Sequence, residues 1–312
     1  MRILVFEHVT GGGLLPVPLP TSLAEEGDAM LRALTDDLAR LPGHRVSVLR
    51  DHRLTRLESP VAEHRVHTSA EFRRVWARVL EEVDAVWPIA PETSRVLEVL
   101  TERIARAGKR VLSSRADAVR VAASKYATAQ CLHAAGLPVV ATRLLTKAGS
   151  EWRGPVVVKP DDGVGCEGIR LFPNLAAARS WRAPAWATWV VQPWLAGVDA
   201  SLSLLCGDTG VTLLAVNRQL IERNGDTLVL RGCEPAAMRD TDGTLQRLAE
   251  RIVGALPGLW GFVGVDVLLT AQGPWVIEVN PRLTSAYVGL SAALRRNVAG
   301  AVLAGVAQLE FA

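Results

Sequence analysis

The sequence predicts an α/β domain on a parallel sheet over residues 1–113, followed by an α+β unit over residues 114–312. Two patterns carry this. Strand and helix signals alternate through the first part, whereas beyond Ser114 strands come in blocks separated by single helices. Size agrees: 312 residues hold about two domains, or three small ones, and 49% hydrophobic residues supply the material for large cores.

The elements follow in order. Ile3–Phe6 is a short apolar run that reads as a buried strand. Ser22 and Glu25 have capping-box spacing and open a helix that stops near Leu41-Pro42-Gly43. Arg45–Leu49 is the next strand. A helix from about Ser69 to Val83, a strand at Asp84–Trp87, a helix at Glu92–Ala107 and a strand at Arg110–Leu112 complete the βαβ pattern. In the second part Ser124 caps a helix that ends at Gly136-Leu137-Pro138. Strands are expected at Val139–Leu145, Pro155–Lys159, Gly168–Phe172, Thr188–Gln192, Ala200–Leu205, Val211–Asn217 and Thr227–Leu230. A helix over Asp242–Leu256 precedes a final pair, Phe262–Leu269 and Trp275–Val279, joined at Gln272-Gly273. An Ala/Leu-rich helix closes the chain.

Composition narrows the function classes. Lys and Arg total 35 against 32 Asp and Glu, and a net +3 with no run of five or six like charges points to neither nucleic acid nor membrane as partner. Glu7 and His8 cut the N-terminal apolar run short, and no uncharged segment is long enough to span a bilayer. The four cysteines, Cys131, Cys166, Cys206 and Cys233, have no zinc-site spacing and fit a reducing, cytoplasmic setting. Five of the nine Trp lie between Trp152 and Trp194, which reads as the core of one subdomain. Trp and Leu content also permits a homo-oligomer.

The strongest motif is Val156-Val-Val-Lys159-Pro-Asp-Asp-Gly163-Val-Gly165-Cys-Glu-Gly168. A strand delivers a lysine, and glycines then let backbone N–H groups approach phosphate oxygens with no Cβ in the way. The same letters spell GxGxxG, but a dinucleotide fold needs a helix at that loop and an acid about twenty residues on. Ile169–Phe172 reads as a strand instead, and no Asp or Glu lies between Glu167 and Asp199. The loop is therefore expected to be a hairpin lid over a nucleotide, with an ordinary glycine-rich turn as the competing reading.

The second motif is Asp266 followed by Glu278-Val-Asn280-Pro-Arg282. Side chains two apart on a strand share a face, so Glu278 and Asn280 point together, with Asp266 across the hairpin. Two carboxylates and an amide oxygen suit Mg²⁺, which shares its shell with phosphates and waters. An edge strand with a wet polar face is the alternative. A third set is looser: Gln192, Leu195 and Asp199 around a strand-turn-strand could line a nucleoside pocket, Lys125 puts a cation at a helix start where only an anion would welcome it, and Arg218 ends a strand.

Taken in order, the lysine on a helix, the lysine before a glycine loop, the strand-turn-acid, the Arg, the Asp and the Glu-x-Asn resemble the ATP-grasp superfamily along nearly the whole chain. The resemblance implies an N-terminal α/β domain (1–113), a small subdomain with the lid (114–196) and a C-terminal subdomain with the metal site (197–312). It implies that Lys125 and Lys159 bind ATP phosphates under a loop containing Gly163, Gly165 and Gly168. Gln192 and Leu195 would meet adenine, Asp199 the ribose, and Asp266, Glu278 and Asn280 would hold Mg²⁺, with Mn²⁺ as the alternative ion. Arg218 and Arg282 would contact the transferred phosphoryl group or a substrate carboxylate. Gln192 stands where an acid is usual and Asp199 is shorter than the usual Glu, which leaves nucleotide preference open.

The opening Glu7-His8-Val-Thr-Gly11-Gly12-Gly13 and Asn217-Arg218-Gln219 are similar to the tyramine–glutamate ligase group of that superfamily and its bacterial relatives. That implies an ADP-forming ligase joining a glutamate-like carboxylate to an amine through an acylphosphate. The substrates are expected near Glu7, His8, Gly11 and Gly12, at the carboxyl end of the first strand, where open α/β sheets bind ligands. A ligase making another amide or dipeptide, and a nucleotide-binding regulator without ligase activity, are the competing readings.

Overall fold

The computed structural model describes residues 1–149, 152–208 and 210–309. The chain opens with β1 (Arg2–Glu7), a wide helical turn over Val9–Gly13, α1 (Thr21–Ala39), β2 (Arg45–Asp51), β3 (Ala62–Val66), α2 (Ser69–Glu82), β4 (Ala85–Ile89), α3 (Val96–Arg106) and β5 (Arg110–Val111). The five strands make a parallel sheet in the order β3-β2-β1-β4-β5. Both faces are covered, which is why β1 reads as a continuous apolar run. Ile3 and Val5 pack with Leu31, Leu34 and Leu38 of α1 on one side. Leu4 and Phe6 pack with Trp76 and Val79 of α2 on the other.

Several local expectations shift. α1 starts after Pro20 with no side-chain cap, so Ser22 lies inside the first turn and the capping box does not form. β3, with the polar sequence Ala-Glu-His-Arg-Val, is a sheet edge with no apolar signature to announce it. The expected single helix from Glu92 is broken, because Ser94 (φ 55°) and Arg95 (φ 62°) adopt left-handed geometry before α3 begins.

The second part comprises α4 (Ala116–Ala122), α5 (Lys125–Ala134), β6 (Arg143–Leu144), β7 (Val156–Pro160), β8 (Arg170–Phe172), α6 (Leu175–Ser180), β9 (Trp189–Pro193), β10 (Val198–Gly207), β11 (Gly210–Asn224), β12 (Thr227–Met238), α7 (Thr244–Ala255), β13 (Gly261–Thr270) and β14 (Gly273–Asn280), then α8 (Leu290–Leu294) and α9 (Val298–Leu309). The strands form one nine-stranded sheet in the order β14-β13-β10-β11-β12-β8-β7-β9-β6. Its pairings are antiparallel, and the junction of β12 with β8 is the single register pair Thr227 with Arg170. The strand expected at Val139–Leu145 shrinks to β6 plus a bridge from Val139 to Val276. The closing helix is interrupted at Arg295 (φ 50°), and its expected continuation past Leu309 lies outside the described residues.

α4, α5 and α7 pack on the β10-β13-β14 face through Leu132, Leu248, Ile252 and Val265. α9 instead crosses to the first sheet, where Val298 and Val302 join the core of α1. Of the clustered tryptophans, Trp152, Trp181 and Trp189 pack around Val156 and Val158 as expected. Trp186 and Trp194 do not, at 63% and 41% exposure. Among the described residues no helix is long and apolar enough to cross a membrane.

α1 lies directly on the end of β1. A Cβ built at Gly27 would stand 2.7 Å from the Glu7 carboxyl carbon. Alanine would gain about 1 kcal/mol of helix propensity, but the crowding costs about 1–3 kcal/mol. Gly27→Ala is therefore expected to melt below wild type; an equal or higher melting temperature would contradict this packing.

Candidate active site

The β13–β14 hairpin sets Asp266 opposite Glu278 and Gly264 opposite Asn280. Asn280 Nδ2 lies 3.4 Å from Asp266 Oδ2. Register then carries the row inward from Asp266 to Ser201 on β10 and from Ser201 to Asn217 on β11. Asn217 Nδ2 donates to Ser203 Oγ at 2.9 Å, and Gln219 Nε2 donates to Asp266 Oδ1 at 2.9 Å. Acid, acid, hydroxyl and amide thus line one face of four adjacent strands.

Two lysines meet this row. Lys159 is buried near the end of β7, and the following residue pair, Pro160-Asp161, turns the chain toward α5. Asp161 caps that helix: its Oδ1 accepts from the Tyr126 N–H (2.8 Å), its Oδ2 from Ser124 Oγ (2.7 Å), and its carbonyl from the Lys125 N–H (3.0 Å). The anion required by a lysine at a helix start is therefore present twice, because Lys125 Nζ also lies 3.1 Å from Glu278 Oε2. Lys125 Nζ further donates to the Gly163 carbonyl at 2.5 Å.

Burial dominates the electrostatics. It would raise Glu278, but Lys125 and Lys159 outweigh it and hold Glu278 below the usual carboxylate range. Asp266, buried and facing the Glu278 charge, is pushed well above that range. Burial lowers Lys159 to about 8, with Glu278 opposing the shift and Lys125 reinforcing it. Two carboxylates thus share a site in which the lysines serve mainly one of them, leaving Asp266 short of positive charge. A divalent cation would supply it. The all-oxygen donor set of Asp266, Glu278 and Asn280 suits Mg²⁺ completed by phosphates and water. Among the described residues no three His, Cys, Asp or Glu side chains converge, so the set is two acids and an amide.

The glycine loop connects the antiparallel pair β7–β8, with Val156, Val157 and Val158 opposite Phe172, Leu171 and Arg170. No helix starts there, so the hairpin expectation holds and the dinucleotide fold is excluded. Gly165 (φ 59°) and Gly168 (φ 72°) take left-handed conformations that a Cβ would strain. The loop base docks on the first domain: Thr93 Oγ1 donates to the Asp162 carbonyl at 3.0 Å, and the Ser94 N–H to Asp162 Oδ2 at 2.9 Å. Cys166 lines the cleft above the acids, where burial, helped by Glu278 and Asp266, pushes its thiol up to about 11. It is held as a thiol and is no nucleophile.

The remaining expected residues divide. Gln192 is buried on β9, with Nε2 donating to Thr142 Oγ1 at 2.9 Å. Leu195 follows that strand and Asp199 begins the next; both are half-buried, and burial raises the Asp199 carboxyl. Arg282 reaches the cleft, but its Nε and Nη2 are paired with the Glu92 carboxylate at 2.9 and 2.8 Å. Arg218 is not brought to the centre. Asn217 and Gln219 turn inward, so strand alternation sends Arg218 to the other face, half exposed and 4.0 Å from Glu234.

At the end of β1, both Glu7 oxygens accept backbone N–H groups, from Val9 at 3.1 Å and Thr10 at 2.6 Å, and burial raises the carboxyl. Burial pushes the His8 imidazole below its usual value. Gly11 packs against the Phe6 ring and Gly12 (φ 101°) makes the tight turn. This segment is committed to its own fold beside the cleft. Sequence reasoning passed over Glu26, Glu92 and Gln219. Gln219 had a signal in its alternation with Asn217, whereas Glu26 and Glu92 sit on elements with no motif around them.

Residues 122–286 match the ATP-grasp domain, and residues 44–119 match the pre ATP-grasp 3 domain. The chain belongs to the ATP-grasp family. Two curated relatives are the tyramine–L-glutamate ligases of Methanocaldococcus jannaschii, 27% identical over 211 residues, and Methanocaldococcus fervens, 28% identical over 210. Each alignment covers 67% of this chain, and the chain spans 59% and 62% of the length of those two proteins. Among solved structures, an ATP-grasp superfamily protein from Archaeoglobus fulgidus superposes with a TM-score of 0.76 at 26% identity, covering 98% of this chain and 88% of that one. The parallel sheet followed by the antiparallel sheet is thus the ATP-grasp arrangement.

Proposed function

We propose that this ATP-grasp protein is an ADP-forming carboxylate–amine ligase that joins glutamate to tyramine or a similar primary amine. The observation that carries the reading is the meeting of Lys125 and Lys159 with Asp266, Glu278 and Asn280 under a glycine loop. The named activity of the two relatives supports the choice of substrates.

In the proposed reaction a substrate carboxylate attacks the γ-phosphorus of ATP, releasing ADP and forming an acylphosphate. The amine then attacks the acyl carbon, and phosphate leaves. Asp266, Glu278 and Asn280 would hold Mg²⁺, with Mn²⁺ as a substitute, and the ion would shield phosphate charge. Lys125 and Lys159 neutralise phosphate oxygens, and Lys125 also ties the loop at Gly163 to Glu278. Gln192, Leu195 and Asp199 are proposed for the nucleoside. The loop from Gly163 to Gly168 keeps water off the acylphosphate. Positioning and charge carry such chemistry, and no protein nucleophile is required. We assign nucleotide clamping to residues 114–196 and 197–312 and the substrate side to residues 1–113, in a cytoplasmic enzyme of small-molecule partners.

The test is incubation with ATP, Mg²⁺, L-glutamate and a panel of amines, following ADP and phosphate. Stoichiometric ADP, phosphate and amide with glutamate and tyramine is expected. Turnover only with other acids or amines would redirect the substrate assignment, and no ADP above background with any pair would overturn the ligase reading.

A further inference from the structure

Three consecutive residues at the base of the glycine loop are tied to three different places. Asp161 caps α5, Asp162 reaches Thr93 and Ser94 through its carbonyl and side chain, and the Gly163 carbonyl accepts from Lys125 Nζ. Of the three, the Asp162 tie alone crosses to residues 1–113.

The turn that receives Asp162 is strained. Ser94 (φ 55°) and Arg95 (φ 62°) are consecutive left-handed residues, and neither is glycine. Backbone of this kind persists only where its surroundings over-determine it. Here the Ser94 N–H donates to Asp162 Oδ2 at 2.9 Å, the Arg95 N–H to the Glu92 carbonyl at 3.0 Å, and the Leu97 N–H to the Pro91 carbonyl at 3.1 Å. The Arg95 side chain is held too, with Nε 2.7 Å from Glu98 Oε2. Closed in this way, the residues from Glu92 to Arg95 move as one piece.

The other end of that piece faces the cleft. Glu92 is buried, and its carboxylate accepts from Arg282 Nε and Nη2 at 2.9 and 2.8 Å. Arg282 lines the cleft together with Gly165, Cys166, Asp266 and Glu278. One short hydrogen-bonded turn thus carries both the seat of the glycine loop and the carboxylate that orients Arg282.

We propose that Asp162 is a positioning residue for Arg282: by holding Ser94 it sets Glu92, and through Glu92 the guanidinium, so that the glycine loop and Arg282 are placed together. Release of Ser94 from left-handed geometry swings the Glu92 backbone, and a bidentate carboxylate–guanidinium pair tolerates little of that. Such coupling is reciprocal. Whatever Asp162 contributes to the Glu92–Arg282 pair, the pair returns to the seating of Asp162.

Site-resolved alkylation by iodoacetamide, read by peptide mass spectrometry on the nucleotide-free protein, tests this. Cys166 lies on the loop in the cleft, so its rate reports lifting of the loop, whereas Cys206, 2% exposed in the core, reports unfolding. Asp162→Ala is expected to raise the Cys166 rate about tenfold, as for loss of a charge-assisted hydrogen bond, with Cys206 unchanged. Asp162→Asn, whose amide oxygen still accepts from Ser94, should stay within about threefold of wild type. Glu92→Gln is expected to raise the Cys166 rate several-fold although Glu92 lies outside the loop. The double variant Asp162→Ala with Glu92→Gln should match Asp162→Ala rather than the product of the two effects. Glu92→Gln combined with Arg282→Met removes the same pair without leaving a buried charge uncompensated, and the same rise is expected. A wild-type Cys166 rate in Asp162→Ala or in the Glu92→Gln, Arg282→Met pair overturns the proposal, as do effects that multiply in the double variant or an Asp162→Asn rate equal to that of Asp162→Ala. The alkylation mixture contains neither nucleotide nor substrate, so its failure leaves the ligase reading standing, and failure of the ligase assay leaves this coupling standing.

Discussion

Glu278→Gln is expected to lower ADP formation by about a thousandfold, the scale on which removal of a preorganised charge at a reacting group is felt. Glu278 faces Asp266 across the hairpin and Lys125 at 3.1 Å, so its charge organises both the cation donors and the lysine. Glutamine keeps the shape but removes one of two carboxylates from the proposed Mg²⁺ set. The thermal melt should move by only a few degrees. Burial and the Glu278 charge together raise the Asp266 carboxyl well above the usual carboxylate range. Neutralising Glu278 removes one of those two causes, so Asp266 becomes a better counter-ion for the lysines and offsets part of the lost charge. Parallel measurement of ADP release and melting temperature checks both halves. A variant retaining more than about a tenth of wild-type activity would contradict the assignment.

Lys159 is the site of the second large effect. Burial holds it at about 8. Its charge is therefore present at pH 7 and largely lost by pH 9 in the nucleotide-free protein. ATP binding measured without added metal ion should weaken across that interval. Lys159→Arg, which cannot lose its proton in this range, should bind ATP with a flat pH profile. Lys159→Met should bind about 10–100-fold more weakly at pH 7, as for loss of a charge-assisted hydrogen bond. Stability runs the other way. The folded value of about 8 lies below the ordinary 10.5, so between them the unfolded chain binds more protons. The penalty of burying the charge is therefore full below about pH 8 and is relieved as pH rises toward 10.5. Lys159→Met should consequently be at least as stable as wild type at pH 7. A steep pH profile in Lys159→Arg, or marked destabilisation of Lys159→Met, would refute this account.

The parts of the site that could be read from the sequence are those with a local period. Glu278 and Asn280 are two residues apart on a strand, and a short turn brings Asp266 back across from them. Lys159 directly precedes a loop with three glycines, a local pattern that allows close backbone approach to a ligand. Arg218 was the attractive residue of its segment by charge, yet its neighbour Gln219 is the one that bonds Asp266. Which side of β11 faces inward depends on its register with β10 and on irregularities in its pairing with β12, and neither is a property of the segment. β3 escaped notice for a related reason. As a mostly polar edge strand it is held by hydrogen bonds with β2 and by one fully buried side chain at its end, Val66, too little apolar surface to mark a strand in the sequence.

Residue order settled the fold class and the kinds of group that meet at the centre, because strand alternation, helix periodicity and glycine freedom act within a few residues and leave a mark at that range. It could not settle which charges are free. Arg282 is matched to Glu92, far away in the chain, and Glu7 is consumed by the backbone of its own turn. Asp161 closes the first turn of α5. Each of these outcomes depends on angstrom-scale approach between separate elements and on the water lost when they meet. Coulomb and hydrogen-bond energies are decided at that scale, so spacing along the chain carries no record of them.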